Sequence, residues 1–235
     1  MITFTPLASS SQGNCYHVTD GTAQLLLECG IPFKEIQRKL DFETRDIKGC
    51  LVSHEHKDHS KAVMDMAKAG IDCYMSQGTV NALGVSGHRI KVIQSHVLAQ
   101  VGTWWVLPFE TQHDAAEPLG FLLISPAGDK LIFATDTYYI KYKFVGLNII
   151  AVECNYALDI LNANIKAGAV PDAMKNRLLQ SHFSLGNVKE FLKANDLSLV
   201  TEIHLLHLSG DNSDASRFKR EIQELTGKAV YVADI

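Results

Sequence analysis

The stretch Ile47-Lys48-Gly49-Cys50-Leu51-Val52-Ser53-His54-Glu55-His56-Lys57-Asp58-His59 decides the fold. Its first half is a short, mostly apolar strand that runs into a histidine. Its second half sets three imidazoles and two carboxylates within six residues. In extended backbone, residues i and i+2 point to the same side, so His54 and His56 can ligate one ion together. The chain then turns, and Asp58 and His59 stand at the mouth of the next helix, aimed elsewhere. One loop can thus feed two neighbouring ions, the kind of pair a two-metal hydrolase holds about 3.5–4 Å apart. The plain alternative is a solvated polar loop. Four ligands do not complete two ions, so the complement has to come from further along the chain.

Three later strands end in the required residue types. His113 closes WWVLPFETQH, Asp136 closes KLIFATD, and His207 closes EIHLLH. An apolar strand running into a His or Asp at its end presents that side chain at the rim of a sheet. Any one alone reads as a hydrogen-bonded polar residue. Together with the HxHxDH loop they read as a ligand set.

Outward from this core, strands are expected at ITFTPLA (2–8), CYHVTD (15–20), TAQLLLEC (22–29), DCYMS (72–76), RIKVIQ (89–94), GFLLIS (120–125), NIIAVECN (148–155) and AVYVAD (229–234). Helical spacing marks FKEIQRKL (33–40), SKAVMDMAKAG (60–70), LDILNANIKA (158–167), GNVKEFLKAND (186–196) and SDASRFKREIQELTG (213–227). Strands cluster early and helices flank the pattern, which predicts a layered α/β arrangement with sheets inside. No repeat, low-complexity tract or linker divides the chain, so a single domain over 1–235 is expected.

Composition sets the outer limits. The 235 residues, 46% hydrophobic and 20% charged, exclude a disordered or collagen-like chain. There is no run of 18 apolar residues, and the N-terminus lacks a basic and apolar leader, so neither a membrane span nor secretion is expected. Five scattered cysteines without CxxC spacing read as buried small hydrophobes in a reducing cytoplasm. With 22 Lys+Arg against 26 Asp+Glu, the formal charge of −4 at first argues against a nucleic-acid partner.

HxHxDH followed by a spaced His, Asp and His resembles the metallo-β-lactamase superfamily. The resemblance implies a four-layer αββα sandwich with a dinuclear site at one sheet edge. It assigns His54, His56 and His113 to one ion and Asp58, His59 and His207 to the other, with Asp136 bridging. SSSQGNCYHV, LVSHEHKDHSKAV, HDAAEPLGF, SHFSLGNVKEFL and HLSGDNSD are similar to the YycJ/WalJ-like branch, related to the RNase Z and RNase J nucleases, and together span Ser9 to Asp214. The chain departs from the pattern in two places. Glu28 stands where the family usually has an Asp that supports the metal loop, and Tyr156 stands where the branch tends to carry a His.

The resemblance implies attack by hydroxide bound to two divalent ions, zinc or manganese, with iron also compatible with His/carboxylate ligation. Asp58 and Asp136 would ligate metal and orient that hydroxide. His182, in Gln180-Ser181-His182-Phe183-Ser184, is the candidate general acid or phosphate contact, against a structural histidine at a helix entry. Ser209 and Asn212, just after His207, are candidate phosphate contacts, against a simple helix cap. The run 138–144, Tyr-Tyr-Ile-Lys-Tyr-Lys-Phe, suits either base stacking or an edge strand with its lysines outward. The leading expectation is therefore a metal-dependent phosphodiesterase on nucleic acid, DNA ahead of RNA, and an exonuclease of the 5′-to-3′ kind. A homodimer is compatible with this reading. A hydrolase of small esters, thioesters or lactones, and a non-catalytic regulatory protein of the same fold, are the competing readings.

Overall fold

The computed structural model describes residues 1–233, so Asp234, the expected end of the last strand, lies outside the described residues. The chain divides into two compact units. One comprises Met1–Glu110 with Ala115–Lys130, and the other Thr111–Asp114 with Leu131 onward.

The first unit contains β1 (Thr3–Ser10), β2 (Gly13–Thr19), β3 (Gln24–Leu27), α1 (Phe33–Lys39), β4 (Ile47–Leu51), α2 (Lys57–Ser60), α3 (Val63–Lys68), β5 (Cys73–Met75), α4 (Gln77–Leu83), β6 (Ile90–Val92), β7 (Ala99–Val101), β8 (Trp104–Glu110) and β9 (Leu119–Ile124). Strands β1 to β6 form a six-stranded sheet in sequence order. Its first three strands are antiparallel and the rest parallel. Pro6 has no backbone N–H to give the ladder. It sits on the edge strand β1, where the register slips between Pro6 and Ala8. Strands β7, β8 and β9 form an antiparallel run. Leu7, Leu26, Ile36, Val52, Met66 and Met75 pack in one apolar cluster of this unit, together with Cys15, Cys29, Cys50 and Cys73. All five cysteines are buried and free, as expected.

The second unit contains β10 (Lys130–Ala134), β11 (Ile149–Glu153), α5 (Leu158–Lys166), α6 (Asp172–Ser181), α7 (Leu185–Ala194), β12 (Glu202–Leu206), α8 (Ala215–Thr226) and β13 (Ala229–Val232). The four strands pair in parallel. β11 is buried at all five positions, which is why it reads as a continuous apolar run rather than an alternating one.

The expected elements are present, with several differences, among them the short strand β7 (Ala99–Val101), which was not expected. The helix expected over 60–70 is the short α2 followed by α3, because Lys57 and Asp58 already start the turn. Helices α4 and α6 went unread in the sequence: α4 carries a glycine and α6 is largely polar and follows Pro171. The run 138–144 is neither strand nor helix, so the edge-strand alternative does not hold. Among the described residues no helix is long and apolar enough to cross a membrane.

Candidate metal centre

In the first unit, β4 ends at Leu51 and leaves the loop free to aim its side chains. The loop is pinned on both sides. Ser53 N donates to both oxygens of Glu28 at 3.2 and 3.3 Å, and the Ser53 carbonyl accepts from Leu119 N at 3.0 Å. Glu55 Oε1 accepts from Ala116 N at 2.8 Å, so this carboxylate holds the loop to the segment before β9. His54 is buried, with its Nδ1 2.8 Å from Ser53 Oγ and its Nε2 3.1 Å from His56 Nδ1. Two nitrogens sharing a tetrahedral zinc, each about 2.0–2.1 Å away, stand about 3.3 Å apart. The observed pair is close to that separation without any rearrangement.

Asp58 and His59 lie in α2, where His59 Nε2 is 3.2 Å from Asp58 Oδ2. Behind them, Glu28 Oε2 lies 3.6 Å from His59 Nδ1. Glu28 thus supports the imidazole of His59 from behind. Complete burial pushes its carboxyl pKa up, against the opposing pull of His59 and Ser53. Sequence reasoning gave Asn14 no role, yet its Nδ2 reaches the Asp58 carbonyl at 3.2 Å and His59 Nε2 at 3.3 Å. Gly30 lets the two chain segments meet. A Cβ there would stand 1.6 Å from the Asp58 carbonyl oxygen.

In the second unit, His113, Asp136, His182 and His207 are gathered around Glu153. His113 Nδ1 donates to the Ser181 carbonyl at 3.1 Å, and its Nε2 lies 3.6 Å from Asp136 Oδ2. Asp136 Oδ1 is 2.5 Å from His207 Nδ1. His182 Nδ1 lies 2.6 Å from Glu153 Oε1. Glu153 Oε2 accepts from Thr137 N at 3.1 Å and Phe183 N at 3.0 Å. The donor atoms of Asp136, Glu153, His182 and His207 all lie within 4.8 Å of one another. Glu153 was missed in the sequence, although β11 ends in it, the same signal that singled out Asp136 and His207.

Electrostatics follow from this packing. Burial alone would raise Glu153 and lower the two histidines, but the opposite charges outweigh it. Glu153 is held below its usual range, His182 is raised, and His207 is pushed up to about 10. His113 goes the other way, because its desolvation prevails over Asp136 and Asp114.

Ser209 and Asn212 are brought together in the turn after His207, but their polar groups bond inward. Asn212 N donates to Ser209 Oγ at 3.2 Å, Asn212 Oδ1 accepts from Asn164 Nδ2 at 3.0 Å, and Ser209 N donates to the Asn155 carbonyl. Asp214, not Ser213, caps α8. These bonds place both residues within a turn, and neither of them caps α8.

Buried imidazoles and carboxylates, each oriented by a neighbouring group, suit zinc, manganese or ferrous iron. Glu28, Asp136 and His207 share one further property. Each lies in the left-handed backbone region, with φ of 64°, 46° and 52°, which costs a non-glycine residue about 1 kcal/mol or more.

No protein-family model matches the chain. It is similar to exodeoxyribonuclease YycJ of Bacillus anthracis, 29% identical over 225 residues, or 89% of this chain and 83% of that protein. Exodeoxyribonuclease WalJ of Streptococcus pneumoniae (serotype 2, strain D39) is 27% identical over 224 residues, 88% of this chain and 81% of that protein. Among solved structures, the metallo-β-lactamase fold protein YhfI from Bacillus subtilis superposes with a TM-score of 0.74 at 14% identity, over 99% of this chain and 96% of that one. The last likeness establishes the α/β fold.

Proposed function

We propose that this chain, a member of the metallo-β-lactamase superfamily and one of its metallo-hydrolases, cuts phosphodiester bonds in nucleic acid, DNA in preference to RNA, as a 5′-to-3′ exonuclease in the cytoplasm. The proposed ligand set is the one the resemblance implies: His54, His56 and His113 for one ion, Asp58, His59 and His207 for the second, and Asp136 common to both. Two divalent ions, zinc or manganese, would supply an activated water and neutralise charge on the phosphate.

The chain's own residues do the rest. Glu28, facing His59 Nδ1, keeps that imidazole turned toward its ligand role, and Ser53 does the same for His54. Asp58 and Asp136 accept the hydrogen bond that orients the attacking water. The observation that carries a nuclease rather than a small-ester hydrolase is the His182–Glu153 pair beside Asp136 and His207. Glu153 holds His182 Nδ1 and favours its protonated form, so Nε2 is equipped to give a proton to the departing sugar oxygen. Ser209 and Asn212 enter the proposal as the turn that carries His207, since Asn155 ties that turn to the end of β11.

The test is an activity panel with Mn²⁺ or Zn²⁺ on 5′-phosphorylated single- and double-stranded DNA, RNA and a generic phosphodiester. DNA cleavage is expected from the wild type and none from His56→Ala. His182→Asn should lower kcat by about 10²–10⁴. Turnover of thioesters or lactones alone would sink the nuclease reading, and absence of both bound metal and hydrolysis would leave the non-catalytic one.

A further inference from the structure

The run 138–144 is not used by the chemistry above, and its conformation is unusual for so apolar a segment. It crosses α7 without regular structure and is held at its ends by that helix's amides. Asn187 Nδ2 donates to the Tyr138 carbonyl at 3.0 Å, and Asn195 Oδ1 accepts from Phe144 N at 2.7 Å. Between these anchors the chain stands off α7 and leaves a cavity of about 280 Å³. This is close to the lower end of the range for small-ligand sites, roughly 300–1,000 Å³. Phe183 and Phe191 form its buried floor, with ring centroids 6.2 Å apart and planes tilted by 59°. Tyr139, 55% exposed, and Tyr142 also line it, alternating in sequence with the exposed Lys141 and Lys143, and Lys141 Nζ lies over the Tyr142 ring, 5.1 Å from its centroid. Glu190 also lines the cavity, but its carboxylate is engaged by Lys193 at 2.9 Å.

An aromatic-lined cavity with two exposed lysines in its lining fits a flat π-face attached to a phosphate. We propose that this cavity holds the base of one unpaired nucleotide of the substrate strand, with Lys141 and Lys143 on the adjoining phosphates. The proposal rests on the nuclease reading, because it needs a strand that continues from the metal centre. The chain supplies that continuity: Phe183 directly follows His182, and Tyr139 lies three residues after Asp136. Base–aromatic stacking tolerates any sequence, so the site would grip the strand without selecting bases.

The experiment measures binding of the full chain to single-stranded DNA carrying 2-aminopurine, and then an abasic residue, at each position from the 5′ end. Stacking should quench the 2-aminopurine at one position only. An abasic residue at that position should weaken binding by about 5- to 100-fold. Tyr139→Leu should remove the quench and bring the intact-to-abasic affinity ratio toward one. Lys141→Gln with Lys143→Gln, both at exposed positions, should flatten the slope of log Kd against log salt by about 1.4, two single-strand phosphate contacts. Quenching equal at all positions, or variants that bind and discriminate like the wild type, would overturn the proposal. So would a free nucleoside monophosphate that displaces the strand at the strand's own Kd, since the pocket would then belong to a mononucleotide. These readouts do not depend on turnover. Wild-type cleavage of DNA with no positional quench fails the pocket alone, whereas positional quench without cleavage fails the nuclease reading alone.

Discussion

Gly30 occupies a point where the chain cannot carry a side chain. Its N–H donates to the Asn14 carbonyl at 2.8 Å, and the space a Cβ would need is filled by the Asp58 carbonyl. Gly30→Ala should therefore push α2 away from β2 and lower stability by about 3 kcal/mol or more, measured as a fall in the urea midpoint. Metal content of the purified variant should drop with it, since Asp58 and His59 ride on that backbone. The residue scale is also where the sequence was most legible. Among the candidate ligands, His54, His56, Asp58 and His59 stand out by local spacing, and His113, Asp136 and His207 by following strand ends. Glu28 could be recognised as a support only through the family pattern. Asn14 could not be recognised at all, because its contact with His59 spans 45 positions and no local pattern encodes it. Glu153 hid for a different reason. Its strand-end signal was present, but a buried acid carries no mark of the histidines that keep it ionised.

At the scale of elements, legibility follows burial. The parallel strands of the second unit are mostly apolar and were readable within about three residues at their ends. Helix α8 was readable because it is strongly amphipathic and is capped by Asp214 at its start and Gly227, whose φ is 65°, at its end. Helix α6 has neither a side-chain cap nor a long apolar stripe, so nothing local distinguishes it from a loop. The cap of α8 gives a direct check. Asp214 Oδ1 accepts from Arg217 N at 2.9 Å, and Asp214→Ala should cost about 1 kcal/mol in denaturant unfolding. Ser184 caps α7 in the same way, accepting from Asn187 N at 3.1 Å. That cap has a second effect, because Ser184 is two residues from His182. Ser184→Ala should cost a similar amount of stability and also lower kcat, which a stopped assay on DNA would show.

At the scale of the whole molecule, the formal charge of −4 is a poor guide to the partner. Two divalent ions would bring four positive charges to the one place where phosphate must bind, so global and local signs part company. Affinity for DNA should then rest on the ions and a few lysines. The slope of log Kd against log salt should be shallow, about −1 to −3 for single strands, and a slope near −7 would show a basic surface that the composition does not provide. The left-handed backbone at Glu28, Asp136 and His207 has a consequence for how this protein can change. Glycine at any of the three positions would relax the local conformation, while removing a side chain that the proposed metal centre uses. A library selected for thermal resistance alone should accumulate glycine or asparagine at these sites and go catalytically silent. One selected for turnover should keep them and recover its stability elsewhere. Fitness for folding and fitness for hydrolysis pull in opposite directions at these three positions.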